Sequence, residues 1–158
     1  MDNTQLTTEA DAFAAQGLAQ FAPYLMNRIV RRYNSRVEAD VRDMGLNVPR
    51  LRILAALVAQ GPQSINSLSV YSVSEQSTTS RIIEAMEIDG FVERSVSEVD
   101  QRSRIVSLTQ KGSAAFETCF PIMRAGEAAI LEGFTQAERA LALELLGRML
   151  NNVRETEI

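Results

Sequence analysis

The chain has 158 residues, 46% of them hydrophobic, one cysteine, no histidine and a formal net charge of −4. That length and apolar content support one packed domain. With no histidine, no cysteine pair, no glycine-rich phosphate loop and no nucleophile elbow, enzyme chemistry is excluded, and neither cofactor nor metal is expected. No apolar run nears the roughly 18 residues of a membrane span and no export signal opens the chain, so a reducing cytoplasm suits the lone cysteine.

In chain order, residues 1–15 are small and polar, and are expected to be frayed unless a partner holds them. From Leu18, the apolar positions Phe21, Leu25, Ile29, Val37, Val41 and Met44 follow helical spacing, which predicts a long helix to about Met44, with Pro23 in its first turns. Gly45 ends it, and Asn47 caps a helix that buries Leu51, Leu54, Leu57 and Val58 until Gly61-Pro62 stops it. An extended piece follows around residues 63–65, then a brief helix over 66–72 anchored by Leu68, with the Tyr71 ring covering core.

The next stretch, VSEQSTTSRIIEAMEIDGFVERSVSEVDQRSRIVSLTQKG, organises the rest. Ser74 is positioned to cap a helix and Gly90 to end it. Thr79, Ile82, Ile83 and Met86 form its buried stripe, while Ser77, Thr78, Arg81 and Ala85 form a slim polar face suited to a groove. After Gly90 the period changes to two, and residues 91–108 read as a hairpin whose loop, 97–103, projects. Thr109 then caps a helix that Pro121 should kink or break near Thr118. Thr135 and Glu138 form a capping box before an apolar stripe of Leu141, Leu145, Leu146, Met149, Leu150 and Val153. Both terminal helices are more apolar than one small lobe can cover, so a second copy related by a two-fold axis is expected.

A helix followed by a projecting hairpin is a winged-helix arrangement, and these residues resemble the MarR family of bacterial winged-helix transcription regulators. The similarity is carried by residues 77–83 (STTSRII) and 89–94 (DGFVER), by Asp100-Gln101-Arg102-Ser103-Arg104 in the wing, and by Val106-Ser107-Leu108-Thr109 with Gly112. It covers roughly residues 18–153. The resemblance implies a mainly α fold with a small β-wing, about six helices, and one domain over 1–158. Residues 18–46 and 113–157 would be dimerisation helices, and 47–112 the DNA-binding lobe.

Function follows from placing that lobe on duplex DNA. Gln76, Ser77, Thr78, Ser80 and Arg81 would face the major groove, where Arg pairs with guanine and Gln with adenine. Arg102 and Arg104 would carry the wing to the backbone or minor groove, with Asp100 bracing an Arg, because a carboxylate beside phosphate is repelled. Residues 50–111 hold 7 basic and 7 acidic side chains, so the lobe is neutral and relies on a local cation cluster. The expected activity is that of a homodimeric repressor on a pseudo-palindromic operator. The alternative is a winged-helix protein-interaction module without DNA binding. Members of the family commonly respond to small aromatic or phenolic effectors between the dimer helices and the lobe, where Tyr24, Arg28, Met44, Phe116 and Phe120 are candidate walls. Peroxide-sensing members place a reactive cysteine early in the first helix; Cys119 lies elsewhere and is expected to be buried and inert.

Overall fold

The computed structural model describes residues 8–96 and 104–154. Its elements are α1 (Glu9–Gln16), α2 (Ala22–Val41), α3 (Val48–Gln60), β1 (Gln63–Ser64), α4 (Ile65–Ser72), α5 (Gln76–Ile88), β2 (Val92–Val96), β3 (Arg104–Leu108), α6 (Gln110–Ile130) and α7 (Gln136–Val153). The mainly α architecture with a small β-wing is therefore present. Single 3-10 turns at Leu18–Gln20 and Arg42–Met44 flank α2. The wing projection at 97–103 lies outside the described residues, together with Asp100 and Arg102.

Most boundaries have the local causes that the sequence suggested. Gly45 closes the turn after α2 in the left-handed conformation, at φ +71°, which costs a glycine no steric clash. Asn47 accepts from the Arg50 amide to cap α3, and Thr109 accepts from the Gly112 amide to cap α6. Thr135 and Glu138 close the capping box of α7. The three strands form an antiparallel sheet in the order β1-β3-β2, with Gln63 opposite Val106, Val92 opposite Leu108 and Val96 opposite Arg104.

The core sits beneath the α3–α4–α5 lobe. Leu51, Ile53, Leu54, Leu68, Ile83, Met86 and Val106 are almost fully buried there, joined by Val37 and Val41 from α2 and Cys119 from α6. Deleting any of these large side chains to alanine costs about 2–5 kcal/mol in comparable cores. α2 packs on α6, and this layer carries the lobe.

Four local expectations are corrected. Residues 9–16 form a helix, because Thr8 and Asp11 make a capping box that satisfies the first turn's amides. α5 begins at Gln76 with Glu75 at its N-cap, and Ser74 makes no cap; its Oγ donates to the Ser72 carbonyl at 3.4 Å. Val58 is 47% exposed, because α3 turns that side away from the lobe. α6 runs unbroken through Pro121, whose missing N–H removes one bond while Cys119, Ile122 and Met123 hold both flanking turns against the core.

The terminal helices keep their apolar faces open. Phe21, Leu25, Ile29 and Val30 on and beside the start of α2 are each more than two-fifths exposed. α7 has no fully buried residue, and Leu146, Leu150 and Val153 are 51%, 59% and 74% exposed. Exposed apolar side chains in this number are unusual for a helix packed only within one chain.

Candidate nucleic-acid interface

The polar face of α5 is held out by contacts at both of its ends. At the start, Ser72 Oγ and Thr79 Oγ1 are 3.1 Å apart and buried, which ties the end of α4 to the first turns of α5. Between them Val73 takes the left-handed conformation at φ 55°, unusual for a β-branched residue, and its amide closes the turn on Val70. Arg52 on α3 donates to the Ser72 carbonyl at 3.3 Å. At the far end Arg50, also on α3, pairs with Asp89 at 2.7 Å, and Lys111 donates to the Asp89 carbonyl at 2.6 Å. Glu87 accepts the Arg94 amide at 3.1 Å and its Nε at 2.7 Å, joining α5 to β2. Those hydrogen bonds hold the Glu87 carboxyl below its ordinary value and raise the Arg94 guanidinium.

Held in this way, α5 presents Gln76, Ser77, Thr78 and Arg81 to solvent, with Ser80 half-buried beside them. An open groove of about 660 Å³ runs from Ser64, Ile65 and Asn66 at the start of α4, past Gln76, Ser77 and Ser80, to Arg104 on β3. The structure thus gathers Gln76, Ser77, Ser80 and Arg104 around one polar groove. Thr78 and Arg81 stand on the exposed face of α5 but do not line it. Ser64, Ile65 and Asn66 were not anticipated as groove residues; the signal for them was Ser64, which caps α4 by accepting from the Ser67 amide. A second cleft, of about 330 Å³, is lined by Glu87, Arg94 and Arg104, so Arg104 borders both.

The five candidate effector residues do not share a cavity. Arg28 donates to the Tyr24 hydroxyl at 3.2 Å on the exposed side of α2. Met44 packs on the core and accepts from Cys119 Sγ at 3.7 Å. Phe116 stacks on Phe120 at 5.5 Å, and Phe120 alone of the five lines an open apolar cleft of about 460 Å³ between α2, α6 and α7. Tyr33 and Met123 border both that cleft and a smaller one of about 70 Å³, whose other walls are Val37, Val48, Leu51 and Arg52. Tyr33 packs so closely on α6 that a Cβ at Gly126 would lie 2.8 Å from its ring. Burial raises its hydroxyl pKa, reinforced by Glu127 and opposed by Arg52. Cys119 is fully buried, and that burial pushes its thiol up, away from the reactive thiolate. Among the described residues no cluster of potential ligands could hold a metal ion, and no helix is long and apolar enough to cross a membrane.

Known proteins are similar to this chain in sequence and fold. Residues 46–103 match the model of the MarR family. The chain is 30% identical to the HTH-type transcriptional repressor IacR of Pseudomonas putida over 84% of its own length and 77% of that protein's. A MarR family transcriptional regulator from Silicibacter pomeroyi superposes with a TM-score of 0.85 at 40% identity, covering 92% of this chain and 99% of that one. BpsR of Bordetella bronchiseptica, whose DNA binding is regulated by 6-hydroxynicotinic acid, superposes with a TM-score of 0.72 at 25% identity, over 81% and 97% of the two chains. These relatives are regulators rather than enzymes. With both sequence and fold similar over most of its length, the chain belongs to the MarR family of transcriptional regulators.

Proposed function

We propose that this protein is a homodimeric repressor that reads a pseudo-palindromic duplex operator and responds to a small aromatic effector. The observation that carries the reading is the polar groove shared by Gln76, Ser77, Ser80 and Arg104, beside a slim, exposed helix face bearing Thr78 and Arg81. A helix of this kind fits the major groove, where Gln76 and Arg81 select bases and the hydroxyls hold the backbone. Arg104 supplies a backbone cation at the wing, and Arg102 in the adjoining loop would extend it toward the minor groove, braced by Asp100.

The second copy is argued from the open faces of α2 and α7. A two-fold pairing covers Leu146 and Leu150 and presents α5 twice, so half-sites should lie roughly 10 base pairs apart. Effector control is argued from the two cavities that flank Tyr33 and Met123, and from the response of BpsR to an aromatic acid. Phe120 is the wall residue retained from the sequence reading.

The test is selection of bound sequences from a random duplex library at about 0.1 M salt, where phosphate contacts still contribute strongly. One enriched inverted repeat is expected. Failure to enrich any sequence, by a folded dimeric protein, would replace the DNA reading with a protein-contact role for the winged lobe.

A further inference from the structure

We infer that Val73, in the turn before α5, is a specificity-determining residue whose side chain packs on the methyl group of an operator thymine, an inference that rests on the DNA reading above. Val73 is the one non-glycine residue with positive φ among the described residues, at φ 55° and ψ 50°. That left-handed region brings Cβ too close to the following carbonyl oxygen, and a β-branched side chain enters it less readily than glycine or asparagine. The side chain is also 75% exposed, so burial within the chain offsets little of the strain. An exposed valine is ordinary; one that is both exposed and strained points to a function.

The backbone there is fixed by its neighbours and not by valine itself. The Val73 amide donates to the Val70 carbonyl and the Ser74 amide to the Ser69 carbonyl, each at 3.1 Å. Arg52 donates to the Ser72 carbonyl at 3.3 Å, and the buried Ser72 and Thr79 hydroxyls lie 3.1 Å apart. Each of these bonds would form equally with glycine at 73, so none of them calls for an isopropyl group. What valine adds is a stiff apolar side chain projecting from the turn. It stands three residues before Gln76, where α5 begins, and is exposed like Glu75, Gln76, Ser77 and Thr78. A helix that enters the major groove by its N-terminal end brings this turn to the edge of the groove.

The chemistry of the side chain selects its contact. An isopropyl group can neither donate to a phosphate nor neutralise it, and the apolar feature that the major groove offers is the C5-methyl of thymine. Glu75, exposed two residues on, disfavours phosphate on this side of the turn by its charge. Val73 therefore adds an apolar readout to the hydrogen-bonding readout of Gln76 and Arg81. Because χ1 of valine is already restricted, the contact forms with little loss of side-chain freedom.

The test uses the full chain and the inverted repeat enriched from the random library, with each thymine of one half-site replaced in turn by deoxyuridine, which removes only the methyl. Wild type is compared with Val73→Gly and Val73→Asn, since both residues enter the left-handed region and neither carries the isopropyl group. At one thymine wild type should bind about fourfold more weakly after replacement, the factor that burying one methylene is worth. The variants should bind the unmodified repeat more weakly than wild type does, lose nothing further at that position, and melt no earlier than wild type. If one variant melts early, the other carries the comparison, and wild type on the uracil duplexes tests the methyl contact without any substitution. Insensitivity of wild type to every replacement, or a variant that keeps the wild-type penalty at the sensitive thymine, would overturn the assignment and leave the DNA reading standing. Variants weakened equally on all duplexes, with no uracil effect in wild type, would overturn it in favour of a backbone contact. No enriched sequence at all would overturn the DNA reading and this inference together.

Discussion

Glu87 and Arg94 couple α5 to the β-hairpin: the Glu87 carboxylate accepts both the backbone amide of Arg94, at 3.1 Å, and its Nε, at 2.7 Å. This carboxylate is therefore the clasp between α5 and β2. It pairs the charge of Arg94 at the surface, and Arg104 borders the same cleft.

That clasp titrates. Arg94 holds the Glu87 carboxyl below its ordinary value of 4.5. Because the folded-state pKa lies below that of the unfolded chain, the stabilisation is complete above the unfolded value and disappears as pH falls through the folded one. Glu87→Gln should be less stable than wild type near neutrality, with the gap closing below the ordinary carboxylate range. Urea unfolding midpoints of the two proteins across that range check this; a constant gap down to about pH 3 would sink it.

Arg81 and Arg102 should separate by the kind of contact they make. Arg81→Ala is expected to cost roughly 1–3 kcal/mol on the selected operator and to relax preference at one base, whereas Arg102→Ala should weaken all duplexes and lower the salt slope by about one. Binding titrations at several salt concentrations measure both. An Arg81 variant with unchanged base preference moves that residue to the backbone.

The open apolar face of α7 predicts its own disruption. Leu146→Glu together with Leu150→Glu places two charges in a desolvated interface, each costing several kcal/mol unless paired. Sedimentation should then show a monomer, with operator binding lost. A dimer that survives both substitutions must use another surface.

Gly112 permits a close approach that no other residue can. A Cβ there would lie 2.0 Å from the Phe91 carbonyl oxygen and 3.0 Å from Leu108 Cδ2, where α6 leaves the wing. Gly112→Ala should destabilise by about 3 kcal/mol or more, since backbone must move to relieve the overlap. Chemical denaturation gives the figure directly, and a loss under about 1 kcal/mol would refute the contact.

Val73 carries strain in the opposite sense. At φ 55° a β-branched residue costs about 1–2 kcal/mol, and glycine relieves this while losing about 0.5–1 kcal/mol to backbone entropy in the unfolded chain. Val73→Gly should therefore leave stability equal or slightly raised, because the valine is 75% exposed and its removal loses little packing. A clear loss in melting temperature would mean that its side chain contributes packing there.

Local signals located most element boundaries, although the Thr8–Asp11 capping box before α1 went unread and Ser74 was misread as a cap. The caps Asn47, Thr109 and Thr135, the stops Gly45, Gly61 and Gly90, and the change of period after Gly90 lie within a few residues of the boundaries they set. The winged-helix order and the polar face of α5 were legible for that reason, and so was the excess of apolar surface on the terminal helices. Other outcomes depended on which elements meet. Glu87 finding Arg94 across the Gly90 turn, Arg50 finding Asp89 39 positions on, and Ser64 and Asn66 joining Gln76 and Arg104 at one groove are pairings between different elements. The candidate effector walls illustrate the same limit: Tyr24, Arg28, Met44, Phe116 and Phe120 have suitable chemistry, but helix packing put Tyr33, Met123 and Arg52 at the cavities and sent Met44 to the core. Spacing along a helix determines which face a side chain is on; only the packing of that face against another helix decides what the side chain meets.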